Sequence, residues 1–137
     1  MIHTQNNVYH LKTECYSYML RINAYGIPEH LHFGAPVADG DAAAFVCHPG
    51  IGWGSCVVLE DSDSGSCLDD KCLEWSGSGR GDYRESPLEL GGQSADFRFV
   101  GAQTLRGSVP MVCGLPQAKG DCETLDTPCL QASLRVN

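Results

Sequence analysis

The chain has 137 residues, with 17 acidic side chains against nine basic ones and a formal net charge of −8. This balance argues against nucleic-acid binding, because binding to phosphate requires a basic face. No long apolar run is present, which argues against a membrane-spanning helix. The start, MIHTQNNVYHLKTE, lacks the basic and apolar regions of a signal peptide, so a cytoplasmic location is expected.

Alternation of apolar and polar residues dominates the first quarter of the chain and is typical of half-buried β-strands. In YSYMLRIN, the apolar side chains that share one face are Tyr16, Tyr18, Leu20 and Ile22. The next segment, AYGIPEHLHFG, supplies a turn with Gly and Pro and then a second short strand. Together the two segments predict a β-hairpin.

Three later segments, CVVLE, ADFRFV and SLRV, follow the same alternation, and 16 glycines and seven prolines separate the strand-like runs. No stretch has helical periodicity. The pattern predicts an all-β, antiparallel β-sandwich with little or no helix. Residues 60–74 are acidic and rich in Ser and Asp, and residues 114–130 are rich in turn formers, so both are predicted to be loops.

The eight cysteines include no C-x-x-C pair, and without a secretory signal they are expected to be reduced. His30 and His32 are predicted to lie on one face of a strand, and Cys47 with His48 could complete a tetrahedral metal site. Ordinary hydrogen-bonded histidines are the favoured interpretation. We therefore predict no metal and no cofactor.

Two Gly-rich segments carry tryptophan. Trp53 stands between two glycines in HPGIGWGSC, where an exposed ring could stack on a sugar or join an interface, or could fold back over the sandwich edge. In LEWSGSGRGDYRESPLEL, glycines allow positive φ angles, and Asp82 and Arg84 share a strand face. That second segment favours a fixed Asp–Arg pair.

The second segment resembles a conserved block of the N-terminal domain of glycoside hydrolase family 36, the α-galactosidases. The block reads E-(Y/W)-x-x-x-G-x-x-D-(F/Y)-R, and its matching residues here are Trp75, Gly79, Asp82 and Arg84. SYMLRINAYGIPEHLHFG upstream and GLPQAKGDCETLD downstream are similar to two further blocks of that family. The three blocks occur in the family's order and span about residues 8–136.

The resemblance implies a large N-terminal β-sandwich that precedes a (β/α)₈ barrel and a small C-terminal β domain. Such enzymes hydrolyse terminal α-galactosyl groups of raffinose-type oligosaccharides with retention and without a metal. Their two catalytic aspartates lie in the barrel, one of them in a K-W-D motif, which this sequence lacks. Residues 1–137 are therefore expected to be one domain, an incomplete N-terminal sandwich without catalytic residues.

The resemblance also implies partners. In tetrameric relatives the N-terminal domain leans over a neighbouring subunit's active site, and the loop concerned precedes the E-W block. Trp53 is accordingly the candidate for substrate contact, while Trp75, Gly79, Asp82 and Arg84 are expected to be scaffold. The expected partners are α-galactoside oligosaccharides and further copies of the parent enzyme. The alternative is a stand-alone carbohydrate-binding or interaction module that uses Trp53 and Trp75.

Overall fold

The computed structural model describes residues 1–40, 42–47, 68–76, 84–86, 89–94, 96–106, 113–114 and 123–133. Eight antiparallel strands lie within these ranges: β1 (Ile2–Gln5), β2 (Val8–Lys12), β3 (Ser17–Ile22), β4 (Pro28–Gly34), β5 (Glu89–Leu90), β6 (Gln93–Ser94), β7 (Asp96–Arg106) and β8 (Glu123–Ser133). The helical structure within the described ranges is a 3₁₀ turn, Ala42–Phe45. The all-β, antiparallel prediction is confirmed.

The strands form a four-stranded sheet in the order β1-β2-β3-β4, a short β5-β6 hairpin and a long β7-β8 ribbon. Tyr9 of the sheet and Phe99 of the ribbon are in edge contact, with ring centroids 6.4 Å apart. No helix in the described part of the chain has the length and hydropathy needed to cross a membrane.

Two tight turns explain two of the three hairpins of the first sheet. Asn6 and Asn7 join β1 to β2 with φ angles of 50° and 61°, a pair of left-handed conformations that Asn tolerates in two-residue hairpin turns. Between β3 and β4, the Asn23 side chain accepts hydrogen bonds from the backbone N–H groups of Tyr25 and Ile27, at 2.9 and 3.0 Å. The hairpin predicted for this part of the chain is confirmed.

The buried face of β3 is the one opposite to the face that carries most apolar residues. Ser17 is 0% exposed and Met19 1%, whereas Tyr16 is 49% exposed. The reason is that the chain after β4 returns over the Ser17 side of the sheet, where the Val37 N–H donates to the Ser17 hydroxyl at 3.1 Å. The alternation predicted a strand correctly, but burial follows what covers each face.

The strand β8 corrects the loop predicted for residues 114–130. Eleven residues, ETLDTPCLQAS, pair with β7 despite their turn-forming composition. Gly101 pairs with Cys129 and Gln103 with Asp126, so the register shifts beside Pro128. Proline has no N–H to donate, and such an irregularity is where a strand accommodates it. The last five residues of the predicted strand ADFRFV lie in β7, while Ala95, CVVLE and most of SLRV lie outside the described residues.

Candidate functional site

The segment that begins the E-W block docks along the free edge of β4. The His30 N–H donates to the Cys72 carbonyl at 2.7 Å, and the Glu74 N–H donates to the Pro28 carbonyl at 3.1 Å. Trp75 follows at once and is half-buried. These two backbone bonds extend the sheet by a short antiparallel bridge, so the start of the motif is part of the scaffold.

The Glu74 side chain is held by two partners from the sheet. The Tyr18 hydroxyl donates to one carboxylate oxygen of Glu74, and His30 Nδ1 lies 3.1 Å from the other. Burial raises the pKa of Tyr18 well above its usual value, and the hydrogen bond and charge of Glu74 raise it further. The Tyr18 hydroxyl therefore keeps its proton and donates a hydrogen bond. The contacts of Glu74 hold the motif on the sheet.

A second carboxylate, on β4, is also structural. Glu29 is 4% exposed, and Arg21 pairs with its Oε2 through Nε at 2.6 Å and through the terminal nitrogen at 2.5 Å. Asn23 Nδ2 donates to Oε1 at 2.9 Å. Glycoside hydrolysis requires two carboxyl groups that flank an accessible substrate. A buried, triply bonded Glu29 cannot serve as one of them.

Four ring side chains form a row on the outer face of the hairpin, which we call the aromatic row: Tyr16, Phe33, Tyr18 and His30. Successive ring centroids are 6.0, 6.2 and 5.5 Å apart. Phe33 is 68% exposed, so the row presents apolar ring surface to solvent at one end and ends on Glu74 at the other. Ring faces beside hydrogen-bonding groups are suited to a sugar or to a protein partner.

The two histidines proposed for a metal site do not come together. Met19 pairs with His32 but Leu20 pairs with His30, because a β-bulge at this point inserts Leu31. Paired residues of antiparallel strands share a face, so His30 and His32 lie on opposite faces of the sheet. The expectation that they share one face is wrong. His48 lies outside the described residues, within which no group of three potential ligands could hold a metal ion.

A Ser–His–Asp chain occurs on the buried side of the sheet. His10 Nδ1 lies 2.7 Å from Asp39 Oδ1, and His10 Nε2 lies 3.0 Å from the Ser17 hydroxyl. The order of contacts is that of a hydrolase triad, but Ser17 is inaccessible and also accepts the Val37 N–H. The chain is therefore a structural link that holds the segment after β4 on the sheet. Sequence reasoning missed it, because Asp39 stands 29 positions from His10.

A cleft of about 440 Å³ lies beside this link, between the sheet and the segment around the 3₁₀ turn. The charged side chains Arg21 and Asp39 line the cleft, and both are already paired. Arg21 pairs with Glu29, and Asp39 pairs with His10 and Lys12. Desolvation raises the pKa of Asp39, but the hydrogen bonds from His10 and Lys12 outweigh it and hold that pKa below its usual value. The cleft thus has few uncommitted charged groups for a ligand.

Arg84 fastens the other end of the motif. Its guanidinium donates to the carbonyl oxygens of Lys71 at 2.9 Å and Leu68 at 2.8 Å, which clamps the turn that precedes the E-W block. The expected partner Asp82 lies outside the described residues, as do Gly79 and Trp53. The roles predicted for those three residues stay predictions.

Comparison with known proteins finds similar solved structures. No family model matches the chain, and no curated protein sequence matches it. Among solved structures, the α-galactosidase AgaA from Geobacillus stearothermophilus, of glycoside hydrolase family 36, superimposes with a TM-score of 0.71 and 25% identity. That match covers 91% of this chain and 18% of AgaA. The resemblance to family 36 α-galactosidases is confirmed.

Two further galactosidase structures share the fold. The galactosidase domain of the α-galactosidase–sucrose kinase AgaSK matches with a TM-score of 0.68 and 23% identity, over 88% of this chain and 17% of its own. The α-galactosidase from Lactobacillus brevis matches with a TM-score of 0.62 and 17% identity, over 86% and 17%. The chain thus spans less than a fifth of the length of these α-galactosidases, consistent with a portion of their N-terminal domain.

Proposed function

We propose that the chain is the N-terminal portion of an α-galactosidase that hydrolyses terminal α-D-galactosyl residues of raffinose-type oligosaccharides. The observation that carries the proposal is the match to AgaA over 91% of the chain. A variant of AgaA was solved in complex with raffinose. In this proposal the chain supplies scaffold and a surface at the active-site rim, and the catalytic carboxylates come from the barrel.

The contacts of the described residues support a scaffold role. The Glu74 carboxylate is hydrogen-bonded to the sheet, and the Arg84 guanidinium is hydrogen-bonded to a neighbouring turn. Glu29 is buried in an ion pair. Each of these charged side chains is thus committed to holding the fold. The proposal extends to Trp53 as the rim residue that contacts substrate, to a homo-oligomeric parent enzyme and to a cytoplasmic location.

The decisive experiment is to sequence the transcript beyond the codon for Asn137. We expect the reading frame to continue into a (β/α)₈ barrel that contains a K-W-D segment, because two placed carboxylates are needed for displacement at the anomeric carbon. The purified 137-residue chain should accordingly give no turnover of an aryl α-galactoside. A stop codon directly after Asn137, or turnover by the chain alone, would contradict the proposal.

A second candidate function is a stand-alone carbohydrate-binding module, which the exposed aromatic row favours. It predicts saturable raffinose binding by the chain, followed by tryptophan fluorescence or calorimetry. Replacing Phe33 by Ala should then weaken binding about tenfold, the equivalent of about 1.4 kcal/mol of lost ring contact. Val100→Ala, at another exposed apolar residue, is the matched control and should leave binding unchanged.

The same titration with Trp53→Ala separates the two sites named for sugar contact. A loss of binding in Trp53→Ala but not in Phe33→Ala would assign the sugar to the HPGIGWGSC segment instead of the aromatic row. If the unaltered chain binds no raffinose at millimolar concentration, the stand-alone module is wrong.

A further inference from the structure

The cleft beside the Ser–His–Asp link has a floor that one face of the first sheet supplies. Strand pairing places Gln5 opposite Val8 and Val8 opposite Arg21, so these three residues share a face. Met19 stands two positions before Arg21 on β3 and therefore lies on the same face. All four residues line the cleft. Its floor is thus continuous across β1, β2 and β3.

The opposite wall comes from the segment around the 3₁₀ turn, which contributes Ala42, Ala43 and Val46. The bond between Asp39 and His10 holds the start of this segment on the sheet. Alanine side chains are short, so they leave space above the floor, about 440 Å³ in all. Ligand pockets of proteins typically measure about 300–1,000 Å³. The cleft is therefore large enough for a small molecule.

The charges around the cleft cancel in pairs. Arg21 is neutralised by Glu29, at 2.5 Å, and Asp39 is paired with Lys12, at 3.3 Å. A charged ligand would lose its hydration here without gaining a free counter-charge. The electrostatics of the cleft therefore favour a neutral ligand.

Hydrogen-bond donors remain available beside the aliphatic floor. The Nε and one terminal nitrogen of Arg21 bind Glu29, whereas its Nη1 makes no hydrogen bond to a described residue. The side-chain amides of Gln5 and Asn6, which also line the cleft, have no hydrogen-bond partner in the described part of the chain. Each of these groups carries N–H donors. The cleft thus combines aliphatic surface with donors for an oxygen atom.

We propose that this cleft binds small neutral molecules with an aliphatic body and a hydrogen-bond acceptor, such as alicyclic alcohols and ketones. The body packs on Met19, Val8 and Val46, and the oxygen accepts from the uncommitted N–H groups. None of the described residues that line the cleft is Phe, Tyr or Trp, the side chains whose faces stack on sugars. The site is therefore distinct in ligand class from the aromatic row.

The test follows the Met19 methyl group by NMR in the full chain, labelled with ¹³C at its methionine methyl groups. Cyclohexanol is added in about 0.15 M salt, which screens the net charge. We expect a saturable shift of the Met19 signal with a Kd of about 1 mM, a realistic value for so small a ligand. Met19→Leu assigns that signal by removing it. Met1, which is 71% exposed and does not line the cleft, is the internal control.

Related probes test the ligand class. Cyclohexanone, which only accepts hydrogen bonds, should bind within about threefold of cyclohexanol, and cyclohexylammonium should bind at least about tenfold more weakly. Equal binding of the ammonium ion would overturn the assignment of a neutral ligand. Failure of the ketone to bind would overturn the role of the donors.

Variants that fill the cleft test its position. Ala43→Phe and Val46→Phe should each raise the Kd of cyclohexanol at least about tenfold while the far-UV circular dichroism stays native. Ala44→Phe is the matched control, because Ala44 is exposed on the same turn but does not line the cleft, and it should bind normally. Normal binding by either folded filling variant would overturn the proposal. So would equal shifts of the Met1 and Met19 signals, since these would show a general solvent effect.

Discussion

Replacing Arg21 by Ala is expected to lower the free energy of unfolding by about 3–5 kcal/mol, because it leaves the buried carboxylate of Glu29 without its counter-charge. Arg21 makes two contacts to Oε2 of Glu29, at 2.6 and 2.5 Å, and Asn23 alone cannot neutralise the charge. Glu29 also lies at the bridge that joins β4 to Leu73. The variant should therefore loosen the attachment of the E-W block as well as the sheet.

Urea denaturation followed by circular dichroism measures this loss. The matched control is Glu14→Ala, in the exposed turn before β3, which should change the free energy of unfolding by no more than about 0.5 kcal/mol. The double variant Arg21→Leu with Glu29→Leu should recover most of the stability, since it removes both buried charges. A loss below about 1 kcal/mol in Arg21→Ala would show that Glu29 is not buried as described.

Replacing Met19 by Ala is expected to cost about 2–5 kcal/mol, the range for truncating a fully buried side chain. Met19 is 1% exposed and belongs to the core of the described residues together with Leu31 and Leu68. The truncation leaves a cavity between the sheet and the segment that covers it, in addition to the lost burial of apolar surface.

The comparison with an exposed residue of β7 tests whether the Met19 side chain is covered. Val100→Ala removes an apolar side chain that is largely exposed, and it should change the free energy of unfolding by less than about 0.5 kcal/mol. Equal losses in the two variants would contradict the covering of the Met19 face. Met19→Leu, of similar volume, should cost less than about 1.5 kcal/mol.

Sequence reasoning interpreted the E-W block as scaffold, and this interpretation stays a prediction. Arg84 was expected to pair with Asp82, which lies outside the described residues, and its guanidinium donates to two backbone carbonyls. The Glu74 contacts with Tyr18 and His30 were not foreseen. Glu74 and Tyr18 stand 56 positions apart, and no local pattern connects positions so distant.

The sequence by itself determined the all-β class, the β3–β4 hairpin and the family resemblance. These depend on local features: a two-residue period, turn residues such as Asn23 and Gly26, and short motifs whose spacing is visible in the chain. The same local signals failed for β8, where long-range pairing with β7 overrode a turn-forming composition.

Only the tertiary structure decided which face of β3 is buried, how one bulge separates His30 from His32, and which segment pairs with the edge of β4. Each depends on segments that approach one another from far apart in the chain, such as Asp39 on His10 or Cys72 on His30. A two-residue period divides the side chains of a strand between two faces, but it does not show which face is buried. The segment that packs against the strand determines that. Burial and partner choice are properties of the packed chain, because the free energy they contribute comes from contacts between distant residues.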